Sequence, residues 1–456
     1  MEPSTTLAAR PAHTAPMRPP VGPGAGVMSI PPASIPLAFL ATAGLGLIAF
    51  GIAAAAVADD ATVWAMHPHV TATAHLAMLG FLTMAVAGAL HQFGPVVGQR
   101  RLRSNAVARA SHIGLVITVT LLPIGFARGP ENLVPIGGVI GAITVSLIAW
   151  NLSGPLGRQA SGVPVWGLRL SVVLLLATVG FGVTYAFNRQ TGWFPLYPHR
   201  LLAHVHLGLF GWLGLTYAAV AEKLWPMFLL AHRPKSRAGA WAVGLMAAGV
   251  PVLALGLLFA VPYLAWPGGI AVAAGLACHV TSLAGAVRHR RRPLELLHAF
   301  LFASTACLVT GAVLAVVAAA APVDTVTRTR LVTAEVAALM GWVSLAIVGH
   351  AHKIVPFIAY SVLRNRGVAT NPEGRQLLFA DLFDHRVARV TCACAAAAFA
   401  TLIVGILAAA PTAVAIGAVG VAATGVLTTS NLALGPHRAA RGARPAPAPD
   451  LRGSTA

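Results

Sequence analysis

Acidic side chains are scarce in this chain: Asp and Glu together number 12 of 456 residues, and only 9% of the sequence is charged. A soluble domain of this size needs far more polar surface to face water, so an ordinary globular enzyme is excluded. Lys and Arg number 31, so the formal net charge of +19 comes chiefly from the missing acids. The basic residues fall in short clusters between apolar runs, as membrane-protein loops on the cytoplasmic side do, and this reads against nucleic acid as a partner. Cysteine is scarce as well. Cys278, Cys307, Cys392 and Cys394 have neither zinc-site spacing nor the pattern of a secreted disulfide framework, and are read as packing residues. Rossmann and phosphate-loop signatures are missing, which excludes soluble nucleotide chemistry.

What the chain has instead is apolar length. Hydrophobic residues make up 57% of it, and its mean hydropathy is +0.78. About twelve stretches reach the roughly 20 apolar residues that cross a bilayer as a helix. They lie near 33–57, 70–98, 108–127, 133–152, 165–187, 200–230, 239–260, 265–287, 294–320, 330–360, 387–409 and 411–434. The expected fold is therefore an all-α polytopic protein of about twelve transmembrane helices, with the lipid bilayer as its first partner. Residues 1–30 and 435–456 are rich in Pro, Ala and Gly and are expected to be a disordered leader and tail around one membrane domain, 31–434. With both termini cytoplasmic, only Arg128, Arg189, Arg200, Arg328 and Arg330 of the 31 basic residues fall outside, the asymmetry expected of an even number of spans.

An internal repeat organises these helices. Gly80-Phe81, Gly211-Trp212 and Gly341-Trp342 are each followed, fifteen positions after the glycine, by Pro95, Pro226 and Pro356. The three marks are almost evenly spaced along the chain, the second interval being one position shorter than the first. Each occurrence falls in the second helix of a four-helix block, giving repeats over about 33–152, 165–287 and 294–434. Blocks of even helix number enter the membrane with one polarity, so the repeats are parallel and their pseudo-threefold axis runs along the membrane normal.

Intramembrane histidines are costly and usually face a bundle interior. His75 and His206 occupy the same repeat position, five residues before Gly80 and Gly211, while the third repeat has Val336 there with Glu335 beside it. Two imidazoles at one depth on neighbouring inner helices suit the two axial positions of a b-type haem. His204 is two residues from His206, so the two rings point about 200° apart and serve different sides of the helix. No Cys-x-x-Cys-His occurs, which argues against covalently attached haem.

The stretch Thr73-Ala74-His75-Leu76-Ala77-Met78-Leu79-Gly80, continuing to Pro95-Val96-Val97-Gly98, resembles the second helix of haem–copper oxidase subunit I, which carries a low-spin haem ligand. The stretch from Ala203 through His206 to Trp225-Pro226-Met227-Phe228 is similar to the His-x-His helix of the same superfamily. The resemblance implies twelve helices in three arcs, His75 and His206 on one haem, His204 toward a second cofactor or substrate, and redox, electron-transfer or nitric oxide related chemistry. It also implies an electron donor or other respiratory-chain subunits as partners. The chain departs from the family in carrying its His-x-His pair on the sixth helix and not the tenth, and in lacking histidine altogether over 239–260, where the family's copper ligands stand.

Further groups invite chemistry. Arg189 and Arg200, on the outer side, suit haem propionates. His91, Glu222 and His352 stand eleven residues after the three repeat glycines and suggest a facial site for copper or another divalent metal. They also suggest an alternative function, a cofactor-free permease or metal-ion pathway with these three residues at an inner gate. A third reading is an accessory subunit of a respiratory complex. His67-Pro68-His69, with Asp59 and Asp60 upstream, reads as a solvated outer loop, or with His199 as an entrance for copper. His112, His279 and His298 read as satisfied interior or interfacial histidines.

Overall fold

A computed structural model of the chain describes residues 31–231 and 237–441. The expected leader 1–30, most of the tail and the basic residues Arg233 and Lys235 lie outside the described residues. Twelve helices are long and apolar enough to cross a membrane. They are α1 (Ser34–Ala56), α2 (Pro68–Gly98), α3 (Asn105–Ala127), α4 (Leu133–Leu152), α5 (Val163–Thr191), α6 (Pro198–Leu229), α7 (Ala238–Leu258), α8 (Pro262–Arg288), α9 (Leu296–Ala320), α10 (Thr325–Asn365), α11 (His385–Leu407) and α12 (Pro411–Arg441). No strand occurs among the described residues, only one isolated bridge, Thr370 to Gln376, in the α10–α11 loop. The chain is an all-α multi-pass integral membrane protein.

Three helices form the inner ring. Buried residues make up 56, 67 and 72% of the apolar windows of α2, α6 and α10, against 28 to 44% in the other nine. They are the second helices of the three repeats, and each holds its repeat proline, Pro95, Pro226 or Pro356, near its inner end. The repeat extends into the packing. Phe39 of α1 stacks on His91 of α2, with ring centroids 5.2 Å apart, and Phe300 of α9 stacks on His352 of α10 at 5.6 Å. Gly88 and Gly349 lie under those same phenylalanines, where a side chain would strike the ring. Without a hydrophobic drive between helices in lipid, such small residues set how closely the backbones approach. Gly46 of α1 and Gly80 of α2 make the closest such crossing, since a Cβ on Gly46 would collide with the Gly80 carbonyl. Gly51 and Gly425 do the same between α1 and α12, so the last helix closes onto the first.

Two boundaries differ from the sequence reading. The tenth helix runs 41 residues, about 62 Å at 1.5 Å per residue. Its polar Thr-Arg-Thr-Arg start hides it from hydropathy, but Asp324 caps it by accepting the amides of Val326 and Thr327. The last helix passes 434 and continues to Arg441, with Gly435 packed against the Leu382 carbonyl in the α10–α11 loop.

The inner helices α2 and α6 are not uniform. Each contains an eight-residue π-helical segment, Leu76–Thr83 and Leu207–Gly214, that starts one residue after His75 and His206 respectively. The two segments are linked by a buried hydrogen bond from Trp212 Nε1 to Thr83 Oγ1, 3.2 Å long. α10 is α-helical throughout.

Candidate functional site

The outer half of the inner ring is built from α2, α6 and α10 with α3 and α5 behind them. Pro68 and Pro198 stand at the first turns of α2 and α6, where a missing amide costs nothing and the fixed φ suits the helix. Two turns further in come the histidines. His75 places Nδ1 2.8 Å from the Thr71 carbonyl, and His206 places Nδ1 2.8 Å from the Leu202 carbonyl. A carbonyl only accepts, so both rings are protonated at Nδ1 and present Nε2 laterally, the arrangement that orients ligating histidines in metal sites.

Their lateral partners differ. His206 turns toward α10, where its Nε2 lies 3.5 Å from Oε1 of Glu335, and both side chains are buried. His75 stacks on Phe126 of α3, ring centroids 5.0 Å apart, and lies near enough to His204 of α6 that charge on one ring acts on the other. His204 also faces α5: a Cβ added to Gly182 would stand 3.2 Å from its Cε1. Its Nδ1 is buried, and the Thr178 carbonyl approaches the ring without making a well-formed hydrogen bond to that atom. The sequence reading pairs His75 with His206. In the structure His206 lies opposite Glu335, and His75 is within electrostatic reach of His204.

These two pairs are one arrangement repeated. The interval in sequence from His75 to His206 is the same as that from His204 to Glu335. The pair at the α2/α6 gap thus maps onto the pair at the α6/α10 gap, with a carboxylate replacing the second imidazole. The π segments explain why this is hidden in the alignment. Beyond them, between Pro226 and Pro356, the α6-to-α10 interval is one position shorter. A π segment spends one more residue over the same rise, so α10, which lacks it, reaches the level of His204 at Glu335 and not at its neighbour Ala334. Glu335, which the sequence reading left without a role, is the residue that faces His206.

Arg189 closes the outer side of the first gap. Its guanidinium lies 5.6 Å from the centroid of Phe126, the ring that stacks on His75, and 3.7 Å from Glu131. Arg200 is tied into the α5–α6 loop: Nη1 donates to the Pro195 carbonyl at 2.7 Å, and its own carbonyl accepts from Tyr185 Oη at 2.7 Å. Tyr185 in turn approaches His204, ring centroids 6.1 Å apart.

At the inner end the expected metal group does not assemble. His91 faces Phe39, His352 faces Phe300 and Phe383, and Glu222 accepts a hydrogen bond from Ser282 of α8 at 2.6 Å. The three occupy matching positions on three helices, and each packs against a neighbour of its own. Among the described residues the one group of three or more metal-capable side chains that converges is Asp60, His67 and His69, outside the inner ring. His199 is not part of it; its Nδ1 lies 2.7 Å from the Leu257 carbonyl.

Two of the histidines expected to be satisfied are so: His112 hydrogen-bonds Thr42 at 2.9 Å, and His298 caps its own helix by accepting from the Glu295 amide at 2.9 Å. His279 is not. Both of its ring nitrogens are buried without a partner, beside the likewise unpartnered hydroxyl of Tyr217, with ring centroids 5.2 Å apart.

No protein-family model matches the sequence, and no curated protein is detectably similar to it. The fold defines the class, a multi-pass helical membrane protein, and the candidate site is a set of interior histidines on its most buried helices.

Proposed function

We propose that this membrane protein binds a b-type haem in the outer α2/α6 gap, with His75 and His204 as its axial residues, and uses it in redox, electron-transfer or nitric oxide related chemistry. What supports the reading is that His75 and His204 interact electrostatically across this gap, whereas His206 faces Glu335 across the next; two imidazoles are the donor set that a low-spin haem takes. The fit is supported by the backbone bond that fixes the His75 tautomer, by the unpartnered nitrogen of His204, and by Gly182, whose missing side chain leaves the ring room. A bound haem would supply one-electron and gas-binding chemistry at its iron. Phe126 and the apolar faces of α3 and α5 exclude water from the gap. Arg189, with one distant carboxylate partner, is the stronger candidate for an anionic haem edge, since Arg200 is already spent on the loop. His206 Nε2 and Glu335 Oε1 face each other at 3.5 Å in the neighbouring gap without a hydrogen bond, where a second cofactor or substrate would meet them.

The roles of the two α6 histidines are thus exchanged relative to the sequence reading, and the resemblance to haem–copper oxidase subunit I supports the class of chemistry without the copper site. His91, Glu222 and His352, on which the permease reading rests, each pack on a different neighbour, which favours the haem reading over it. In the same proposal both termini lie on the cytoplasmic side, and an electron donor or respiratory-chain subunit docks at the periphery.

Haem content tests this. Protein expressed with excess haem, purified and assayed as pyridine haemochrome, is expected to carry haem in the wild type and in His206→Ala, and to lose it in His75→Ala and His204→Ala. Loss in His206→Ala with retention in His204→Ala would restore the sequence pairing, and a haem-free wild type would end the proposal.

A further inference from the structure

The outer end of α2 carries a second cluster, independent of the haem reading. Asp60 sits on the six-residue helix Ala58–Val63 that joins α1 to α2, His67 is the N-cap of α2, and His69 is in its first turn. Asp60 Oδ2 lies 3.2 Å from His67 Nδ1 and 3.4 Å from His69 Nδ1, and one donor atom from each of the three falls within 4.8 Å of the others.

Proton bookkeeping makes this arrangement informative. His69 Nε2 lies 3.2 Å from the Ala127 carbonyl of α3, which can only accept, so Nε2 carries the proton and the neutral ring presents a bare lone pair at Nδ1. His67 Nδ1 accepts from the His69 amide at a stretched 3.4 Å, so it is unprotonated, and a cation would take its lone pair in place of that amide. Three electron-pair donors, one of them a carboxylate, therefore face one another with no side-chain proton between the neutral rings and the acid. A cation completes such a group. Tetrahedral bonds of about 2.0–2.1 Å place their ligand atoms about 3.3 Å apart, close to the two separations seen. The Ala127 carbonyl behind His69 is the outer partner that fixes a ligating ring.

We propose that Asp60, His67 and His69 form an extracytoplasmic site for a borderline divalent cation, Zn2+ or Cu2+, bound through two Nδ1 atoms and one carboxylate oxygen with water in the remaining positions. Imidazole with a single carboxylate suits these ions better than Mg2+ or Ca2+, which prefer all-oxygen shells. The site staples the α1–α2 connection to the start of the helix that carries His75, and its partly exposed side chains leave it open to ions from the aqueous phase.

The test uses full-length protein in detergent, purified through a tag without histidine, stripped with chelator and titrated with Zn2+ at pH 8 by calorimetry. The expected result is one tight site, weakened at least 100-fold by Asp60→Asn and by His69→Gln, the loss of a ligand exceeding the roughly 10–100-fold cost of an outer-shell partner. His352→Ala, a histidine on another helix, leaves the titration unchanged. Cu2+ in the same protein is expected to show nitrogen hyperfine coupling in its electron paramagnetic resonance spectrum, lost in His69→Gln. Equal binding in wild type and both variants, or none in the wild type, would overturn the site. Matching thermal melts of the metal-free proteins exclude misfolding as the cause of a loss. Haem content does not enter, so failure here leaves the haem reading intact.

Discussion

A histidine on these helices is defined by what its far nitrogen meets. His75, His91, His206, His350 and His352 all place Nδ1 2.7 or 2.8 Å from the carbonyl four residues back, so posture alone does not separate a ligand from a packing residue. His91 and His352 lie under phenylalanine rings. His206 meets Glu335, and its pairing is the costliest to break. Removing one partner strands a buried polar or charged group, an effect of about 3–5 kcal/mol for a buried ion pair. Glu335→Ala is therefore expected to destabilise the protein by roughly 3 kcal/mol, with Glu335→Gln, which keeps a hydrogen-bonding oxygen, costing clearly less. Unfolding in mixed micelles measures both, and an alanine variant as stable as the wild type would mean that the 3.5 Å pair contributes nothing.

At the level of the helix, the π segments connect local geometry to the site. A π turn absorbs one extra residue without rotating the helix on either side, and such turns concentrate at functional sites. Deleting Ala77, inside the first segment, would let α2 close to ordinary α geometry with both flanks in register. Deleting Ala338 of α10, where no such slack exists, would turn every residue upstream by about 100°. The Ala77 deletion is thus expected to leave a monodisperse protein with reduced haem content, and the Ala338 deletion to abolish folding, as size-exclusion chromatography in detergent would show. Equal damage from both would mean that the segment stores no spare residue. This slack is also what the sequence could not display. Apolar length, the glycine and proline marks and the paired histidines were all legible, because each is a local pattern. A one-residue change of offset between α6 and α10 is not local, so aligning on Gly211 and Gly341 put Val336 opposite His206 and left Glu335 unassigned. Likewise, spacing showed that His91, Glu222 and His352 are equivalent, but only the packing shows that each faces a neighbouring helix and not the other two.

For the whole molecule, twelve candidate spans are expected to place the start of α1 and the end of α12 on one side of the membrane, and the inner ring is held by peripheral pairs that close through α12 onto α1. Single-cysteine reporters on a background without the four native cysteines test this directly. Reporters at Arg101 and Arg366 are expected to react with impermeant reagent from the cytoplasmic side, and those at Pro130 and Pro322 from the other. Labelling of Arg101 and Pro130 from the same side would break the topology and with it the parallel repeats. What favours the α2/α6 gap as the proposed haem site is narrower: His75 and His204, on two of the most buried helices, are within electrostatic reach of each other. The most direct measurement is the dithionite-reduced minus oxidised visible spectrum of the purified wild-type protein beside His75→Ala and His204→Ala. The wild type is expected to show the sharp α and β bands of a low-spin b-type haem, and both variants to lose them; unchanged bands in either variant, or a wild type with no Soret absorption, would contradict the assignment.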